Sequence, residues 1–111
     1  MREYRPGEIV EASFPYEDSE EEKVRPVLVI KDYGEEMLVM KITSQHKGRK
    51  WNIEIPAGGF SGLTKASVIQ ADRCVKISKS KLNVVIPRGT INPLQLEIVK
   101  QRLFEYLKHQ H

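Results

Sequence analysis

The chain has 111 residues, 18 Lys plus Arg against 15 Asp plus Glu, one cysteine and 40% hydrophobic residues. That length fits one domain of about 100–200 residues, and the lone Cys74 excludes an internal disulfide framework and suits a reducing compartment. No apolar run approaches the roughly 18 residues of a membrane span, and the opening Met-Arg-Glu-Tyr-Arg-Pro lacks a signal-peptide core, so a cytoplasmic protein with no separate targeting domain is expected.

The elements are mostly short strands. Val10, Ala12 and Phe14 alternate with Ile9, Glu11 and Ser13 until Pro15 interrupts, which predicts a first strand. Glu17 to Lys23 holds no apolar residue and reads as a loop. Val24-Arg-Pro-Val-Leu-Val-Ile30 is a β-branched run with Pro26 near its start, where a strand tolerates proline. After the turn signal Asp32-Tyr-Gly-Glu comes Met37-Leu-Val-Met-Lys-Ile-Thr43, so residues 24–43 are predicted as one antiparallel hairpin. Ser44 to Lys50 is polar and basic. Trp51, Ile53 and Ile55 alternate with Asn52 and Glu54 as a half-buried strand, and a glycine-rich loop, Pro56 to Gly62, follows. Ala66–Ala71 and Cys74–Ser78 are predicted as two strands flanking Asp72-Arg73, with Val84-Val-Ile-Pro87 as a candidate last short strand.

The tail carries a helix pattern. Asn92 suits the N-cap, Pro93 the first helical position and Gln95 the capping-box position. Leu96, Val99, Leu103 and Leu107 then recur at three- and four-residue steps. The whole reads as one domain over residues 1–111, mainly β, with strands over about 8–87 and a C-terminal α-helix over about 93–108. Many short strands with one terminal helix suggest a small, twisted antiparallel barrel.

Several chemistries are absent. The dinucleotide and P-loop signatures are missing. His46, His109 and His111 have no metal-ligand spacing, and one cysteine cannot build a structural zinc site, so no metal or cofactor is expected. Charge is segregated: residues 1–22 carry eight acids and two bases, whereas the other 89 carry sixteen bases and seven acids. That division either solvates loops or marks a polyanionic partner. Arg25, at the mouth of an apolar strand, is either an anchor for a nearby acidic loop or a bidentate phosphate ligand. If the hairpin forms, Thr43 should approach it. Asp72 and Arg73 are expected at another strand end, and an Arg, a hydroxyl and a carboxylate beside a basic loop could handle a phosphodiester. His46, Lys47, Arg49 and Lys50 form that loop, either solvated or attracting a nucleic-acid backbone. Trp51 and Phe60 are either core and rim residues or platforms for splayed bases.

These residues resemble the MazF/PemK/Kid toxins, endoribonucleases of bacterial toxin–antitoxin pairs. The matching pieces are Arg5-Pro-Gly-Glu-Ile-Val10, Ser19-Glu20, Arg25-Pro-Val-Leu-Val-Ile30, Ile42-Thr-Ser-Gln45, Gly62-Leu-Thr-Lys-Ala-Ser-Val-Ile69, Asp72-Arg73 and Ile77-Ser-Lys-Ser-Lys-Leu82, in family order. The resemblance implies an SH3-like, PemK-type barrel, usually a homodimer, that cuts single-stranded RNA without metal and is held by an acidic antitoxin. It assigns catalysis to Arg25 and Thr43, with Asp72 as the acid used by one branch. It places Ser19 and Glu20 on the RNA, sets Ser44 and Gln45 beside Thr43 and Arg73 at the family's common Gln position, and makes these, with His46, Lys47, Arg49 and Lys50 of the basic loop, the candidate RNA contacts. The implied step is attack of a 2′-OH on the adjacent phosphorus, giving a 2′,3′-cyclic phosphate. Arg25 would stabilise the developing charge, Thr43 orient the phosphate and Asp72 act as base.

This chain departs from the family at four places. Asp18 stands for the usual Gly, Glu21-Glu22 for Gln and its neighbour, Gln70 for the Arg of the Kid-like branch, and Arg73 for the common Gln. A non-catalytic SH3-like RNA- or protein-binding module and a degenerate toxin are the alternatives. A gyrase poison of the CcdB type is disfavoured because its Trp-Gly-Ile ending is absent.

Overall fold

The computed structural model describes residues 2–15, 22–45 and 48–110. Its strands are β1 (Glu8–Pro15), β2 (Glu22–Asp32), β3 (Glu36–Thr43), β4 (Asn52–Ile55), β5 (Ser67–Ser78) and β6 (Gly89–Thr90), followed by helix α1 (Pro93–His109). The strands make one antiparallel sheet in the order β4-β5-β3-β2-β1-β6, a half-barrel with β4 and β6 as its two edges. The mainly β architecture with a terminal helix is the one the sequence predicts.

The β2–β3 hairpin is closed by local hydrogen bonds. Asp32 Oδ1 accepts from Gly34 N at 2.7 Å, and Tyr33 N donates to Glu36 O at 2.8 Å, an Asp-centred turn that needs no tertiary help. One extra residue, Ile30, bulges between the pairs Val29–Val39 and Lys31–Leu38.

Two elements differ from the sequence reading. The predicted pair of strands around Asp72-Arg73 is one continuous strand, β5. Its pairing with β3 slips between Met40–Cys74 and Lys41–Gln70, so Ala71, Asp72 and Arg73 are absorbed as a wide bulge. A bulge bends its strand and sharpens the twist. The bend lets residues 67–70 pair with β4 as well, from Asn52–Gln70 to Ile55–Ser67. Asp72 and Arg73 therefore sit mid-strand, not at a strand end. The second difference is Val84–Pro87, which is not a strand. Leu82 bridges Ala12, Asn83 N donates to Glu11 O, and pairing resumes where Arg88 N donates to Ile9 O. Residues 84–87 arch outward between these contacts, with Val85 and Ile86 exposed; Pro87 has no N–H to add to a ladder.

Both faces of the sheet are covered. Ile9, Leu28, Met40, Ile42 and Ile69 face α1, whose Val99 is fully buried among them with Leu96 and Leu103 alongside. Val10, Ala12, Phe14, Val27, Val29 and Val39 line the other face, closed by Tyr4 and Leu82. Strand alternation sends consecutive residues of β2 and β3 to two separate cores, which is why Val27–Ile30 and Met37–Met40 read as unbroken apolar runs. The helix begins as its sequence demands: Asn92 Oδ1 accepts from Gln95 N at 2.7 Å while Gln95 Oε1 accepts from Asn92 N at 3.0 Å.

Candidate active site

Arg25 lies opposite Ala12 of β1, two residues before Val27, and alternation places it on the Val27 face. The ladder between β2 and β3 ends at Val27–Lys41, one residue past Pro26. Extending that register sets Thr43 across from Arg25. Beyond the last pair the two strands part, and the gap is a cleft of about 300 Å³.

Its walls come from three directions. β2 supplies Lys23, Val24, Arg25 and Pro26, and the end of β3 supplies Ile42, Thr43, Ser44 and Gln45. The connection into β5 adds Leu63, Thr64, Lys65 and Ser67, and Arg88 completes the rim. Lys23, Arg25, Lys65 and Arg88 thus surround one cleft that no acid lines among the described residues. Thr43 Oγ1 accepts from Gln45 N at 3.1 Å, which orients the hydroxyl and leaves its proton to be donated. Arg88 is fixed by two contacts: Nη1 pairs with Glu11 Oε1 at 2.8 Å and Nε donates to Gly62 O at 2.7 Å.

Of the residues singled out by sequence, Arg25, Thr43, Ser44 and Gln45 meet in this cleft. Asp72 and Arg73 do not line it. Asp72 Oδ2 pairs with Arg49 Nη2 at 3.2 Å, while its Oδ1 is buried and meets no donor among the described residues. Lys50 Nζ lies 4.9 Å from the centre of the Trp51 ring and 3.5 Å from His109 Nε2. Ser19, Glu20, His46 and Lys47 lie outside the described residues.

Sequence reasoning missed Lys23, Thr64, Lys65 and Arg88. Thr64 and Lys65 sit inside a family-like block and could have been found there; Arg88 carries no sequence signal, since an arch of residues and a backbone pairing bring it to the rim. Sequence reasoning also missed that Gln70 is fully buried with neither end of its amide hydrogen-bonded among the described residues. Cys74 is half-buried and its pKa is pushed up to about 11 by burial, so it is a thiol and a poor nucleophile at neutral pH. Among the described residues no three His, Cys, Asp or Glu side chains are grouped to hold a metal, and no helix is long and apolar enough to cross a membrane.

The family described as PemK-like, MazF-like toxin of type II toxin–antitoxin system matches residues 5–107. No curated protein sequence matches the chain. Among solved structures, a MazF from Deinococcus radiodurans is similar with a TM-score of 0.75 at 23% identity, over 93% of this chain and 94% of that one. The Mycobacterium tuberculosis toxin MazF-mt6 is similar with a TM-score of 0.70 at 20% identity, over 94% of this chain and 97% of that one. An endoribonuclease from a mycobacterial species, solved with its cognate antitoxin, gives 0.72 at 14% identity, with 93% of each chain covered. At these identities the likeness is one of fold.

Proposed function

The chain belongs to the PemK-like, MazF-like toxins of type II toxin–antitoxin systems, and on that premise we propose that it is a metal-independent endoribonuclease cutting single-stranded RNA. The observation that carries this reading is the convergence of Arg25 and Thr43 on a cleft ringed by four cations with no acid among its described walls. Such a cleft suits a phosphodiester whose charge grows during reaction. Attack of the 2′-OH on phosphorus makes a five-coordinate intermediate with added negative charge. The 2′-OH proton passes to water, and departure of the 5′-oxygen, which takes a proton from water, leaves a 2′,3′-cyclic phosphate and a 5′-OH. Arg25, permanently cationic with a planar fork, stabilises the non-bridging oxygens. The Thr43 hydroxyl, oriented by Gln45 N, donates to the same phosphate.

Asp72 is bound to Arg49 outside the cleft. We therefore assign its carboxylate to holding Arg49, a cation for the RNA backbone, rather than to proton abstraction. The cations also suit the acidic segment of an antitoxin, which would compete with RNA for the cleft. A homodimer acting in the cytoplasm completes the proposal.

The test is cleavage of single-stranded RNA in EDTA by the purified protein, with product ends identified by mass spectrometry. Arg25→Ala is expected to lose about a hundredfold or more in rate with its melting temperature unchanged. Asp72→Asn is expected to stay within about tenfold of the parent, where a general base would cost 10²–10⁴-fold. Replacing the scissile ribose by deoxyribose should stop cutting. Cleavage that survives in Arg25→Ala overturns the mechanism, and RNA binding without any cutting makes the protein a non-catalytic module.

A further inference from the structure

Of the two aromatic residues singled out by sequence as stacking platforms, one is consumed by the fold. The Trp51 ring meets Tyr106 and His109 edge-on, with centroids 5.4 and 5.2 Å apart, and anchors the last turns of α1 to the start of β4. Phe60 is the opposite case. It is 88% exposed, and it makes no ring contact among the described residues.

That exposure is not the product of a loose loop. Phe60 sits in the short 3₁₀ turn Gly59–Ser61, and it is Ser61 that turns inward, 6% exposed. Ser61 Oγ donates to Gly58 O at 2.8 Å and accepts from Leu63 N at 3.2 Å, while Gly58 N donates to Leu63 O at 2.8 Å. The turn is also seated hard against β6: a Cβ on Gly89 would come within 2.3 Å of Phe60 O, and one on Gly62, at φ 69°, within 2.3 Å of Arg88 O. A turn fastened at both ends holds the phenyl ring out in water, where burying it would have been favourable by about 1.5–3 kcal/mol.

The same fastening connects the ring to the cleft. The residues after the turn, Leu63, Thr64 and Lys65, line the cleft, and Arg88, bonded to Gly62 O, forms its rim. Gly89, against which the turn sits, pairs with Ile9 on one side of β1, and Arg25 pairs with Ala12 on the other, so the turn stands two strand spacings across and three residues along the sheet from Arg25, roughly 14 Å.

We propose that Phe60 is a stacking platform for an unpaired base of single-stranded RNA, placed a few nucleotides from the phosphate held at Arg25. The inference rests on the ribonuclease reading above. A phenyl ring has no hydrogen-bonding group, so its ligand must offer an apolar or π face. Arg88, bonded to Gly62 O beside the turn, and the other cations of the cleft suit a ligand that is anionic along its length. Single-stranded RNA meets both conditions, and a stacked base is sequence-tolerant because every base has a π face. A duplex, whose bases are already stacked, does not.

The experiment uses fluorescein-labelled 12-nucleotide probes made uncleavable by 2′-O-methylation: a mixed-sequence single strand, an abasic strand of the same length, and a duplex. Phe60→Ala is expected to weaken binding of the single strand about tenfold. It should change affinity for the abasic strand and the duplex less than about twofold, and its melting temperature should not fall, because the ring contributes nothing to the core. Phe60→Trp should restore single-strand affinity and add fluorescence quenching beyond that of Trp51. Unchanged single-strand affinity in Phe60→Ala overturns the proposal, as does an equal loss on the abasic strand. Sparing of RNA together with weakened binding of a synthetic Glu/Leu-rich peptide also overturns it and makes the ring a protein anchor. If Phe60→Ala binds RNA normally while Arg25→Ala no longer cuts, this inference fails and the ribonuclease reading stands. If the parent protein binds no single-stranded RNA, both fail.

Discussion

β2 begins in the cleft and ends, seven residues after Arg25, at Asp32, and its two ends treat charge in opposite ways. At the far end a single carboxylate is closed off. Asp32 Oδ2 takes the Lys79 ammonium at 2.8 Å and Tyr4 N at 2.7 Å, Oδ1 takes Gly34 N, and Lys79 also donates to Arg2 O at 2.8 Å. Both side chains are almost fully buried. Burial alone would raise the Asp32 pKa; Lys79 and the two backbone N–H groups outweigh it and hold the carboxyl below its ordinary 3.8. At the near end, Lys23, Arg25, Lys65 and Arg88 gather round open space. Matched charge under cover ties the N-terminal segment, the hairpin turn and the end of β5 into one piece. Here Arg88 pairs with Glu11 at 2.8 Å, and an excess of cations around a cleft suits the arrival of a polyanion.

The contrast is sharpest in a substitution at the closed end. Asp32→Ala leaves the Lys79 ammonium buried without its carboxylate and is expected to cost about 3–5 kcal/mol, read as a lower urea midpoint at pH 7. The sign with pH follows from the depressed native pKa. The stability Asp32 contributes is present above its unfolded value near 3.8 and is lost as pH falls through the lower native value. The gap between parent and variant should therefore narrow as pH falls below 3.8 and through that lower native value. A constant gap across that range would break the comparison.

At the open end the effect should fall on binding, not folding. Lys23→Ala combined with Lys65→Ala is expected to lower the slope of log affinity for single-stranded RNA against log salt by about 1.4, as two phosphate contacts are lost. Relief of like-charge repulsion should leave the melting temperature equal or higher. A loss of stability instead would mean that these lysines hold the fold.

Between the two ends, Gln70 gives the smallest effect. It pairs in register with Lys41 on one side and Asn52 on the other, fully buried and with its amide unmet among the described residues. An unsatisfied buried polar group costs about 1–3 kcal/mol, so Gln70→Met is expected to stabilise the protein by about 1 kcal/mol in urea unfolding. Destabilisation would show that the amide is matched after all.

What the sequence determined by itself was local. The helix start at Asn92 and Gln95 is written in four adjacent residues, and the Asp32 turn sets the hairpin, although it is the bulge at Ile30 that shifts the register so that Thr43 rather than Ser44 extends across from Arg25. Capping, turn chemistry and alternation act over a few residues, so the residues report them directly. The tertiary structure decided what depends on register between distant strands. The slip that absorbs Ala71, Asp72 and Arg73 makes one strand of two predicted ones and leaves Asp72 with Arg49, outside the cleft. It exists because β5 must serve both β3 and β4, a demand no local pattern states. The arch at residues 84–87 and the renewed pairing at Arg88 likewise bring a distant cation to the rim. Burial, too, was decided by assembly: two aromatic residues alike in sequence ended with one under the helix and one in water, because only packing determines which ring has neighbours.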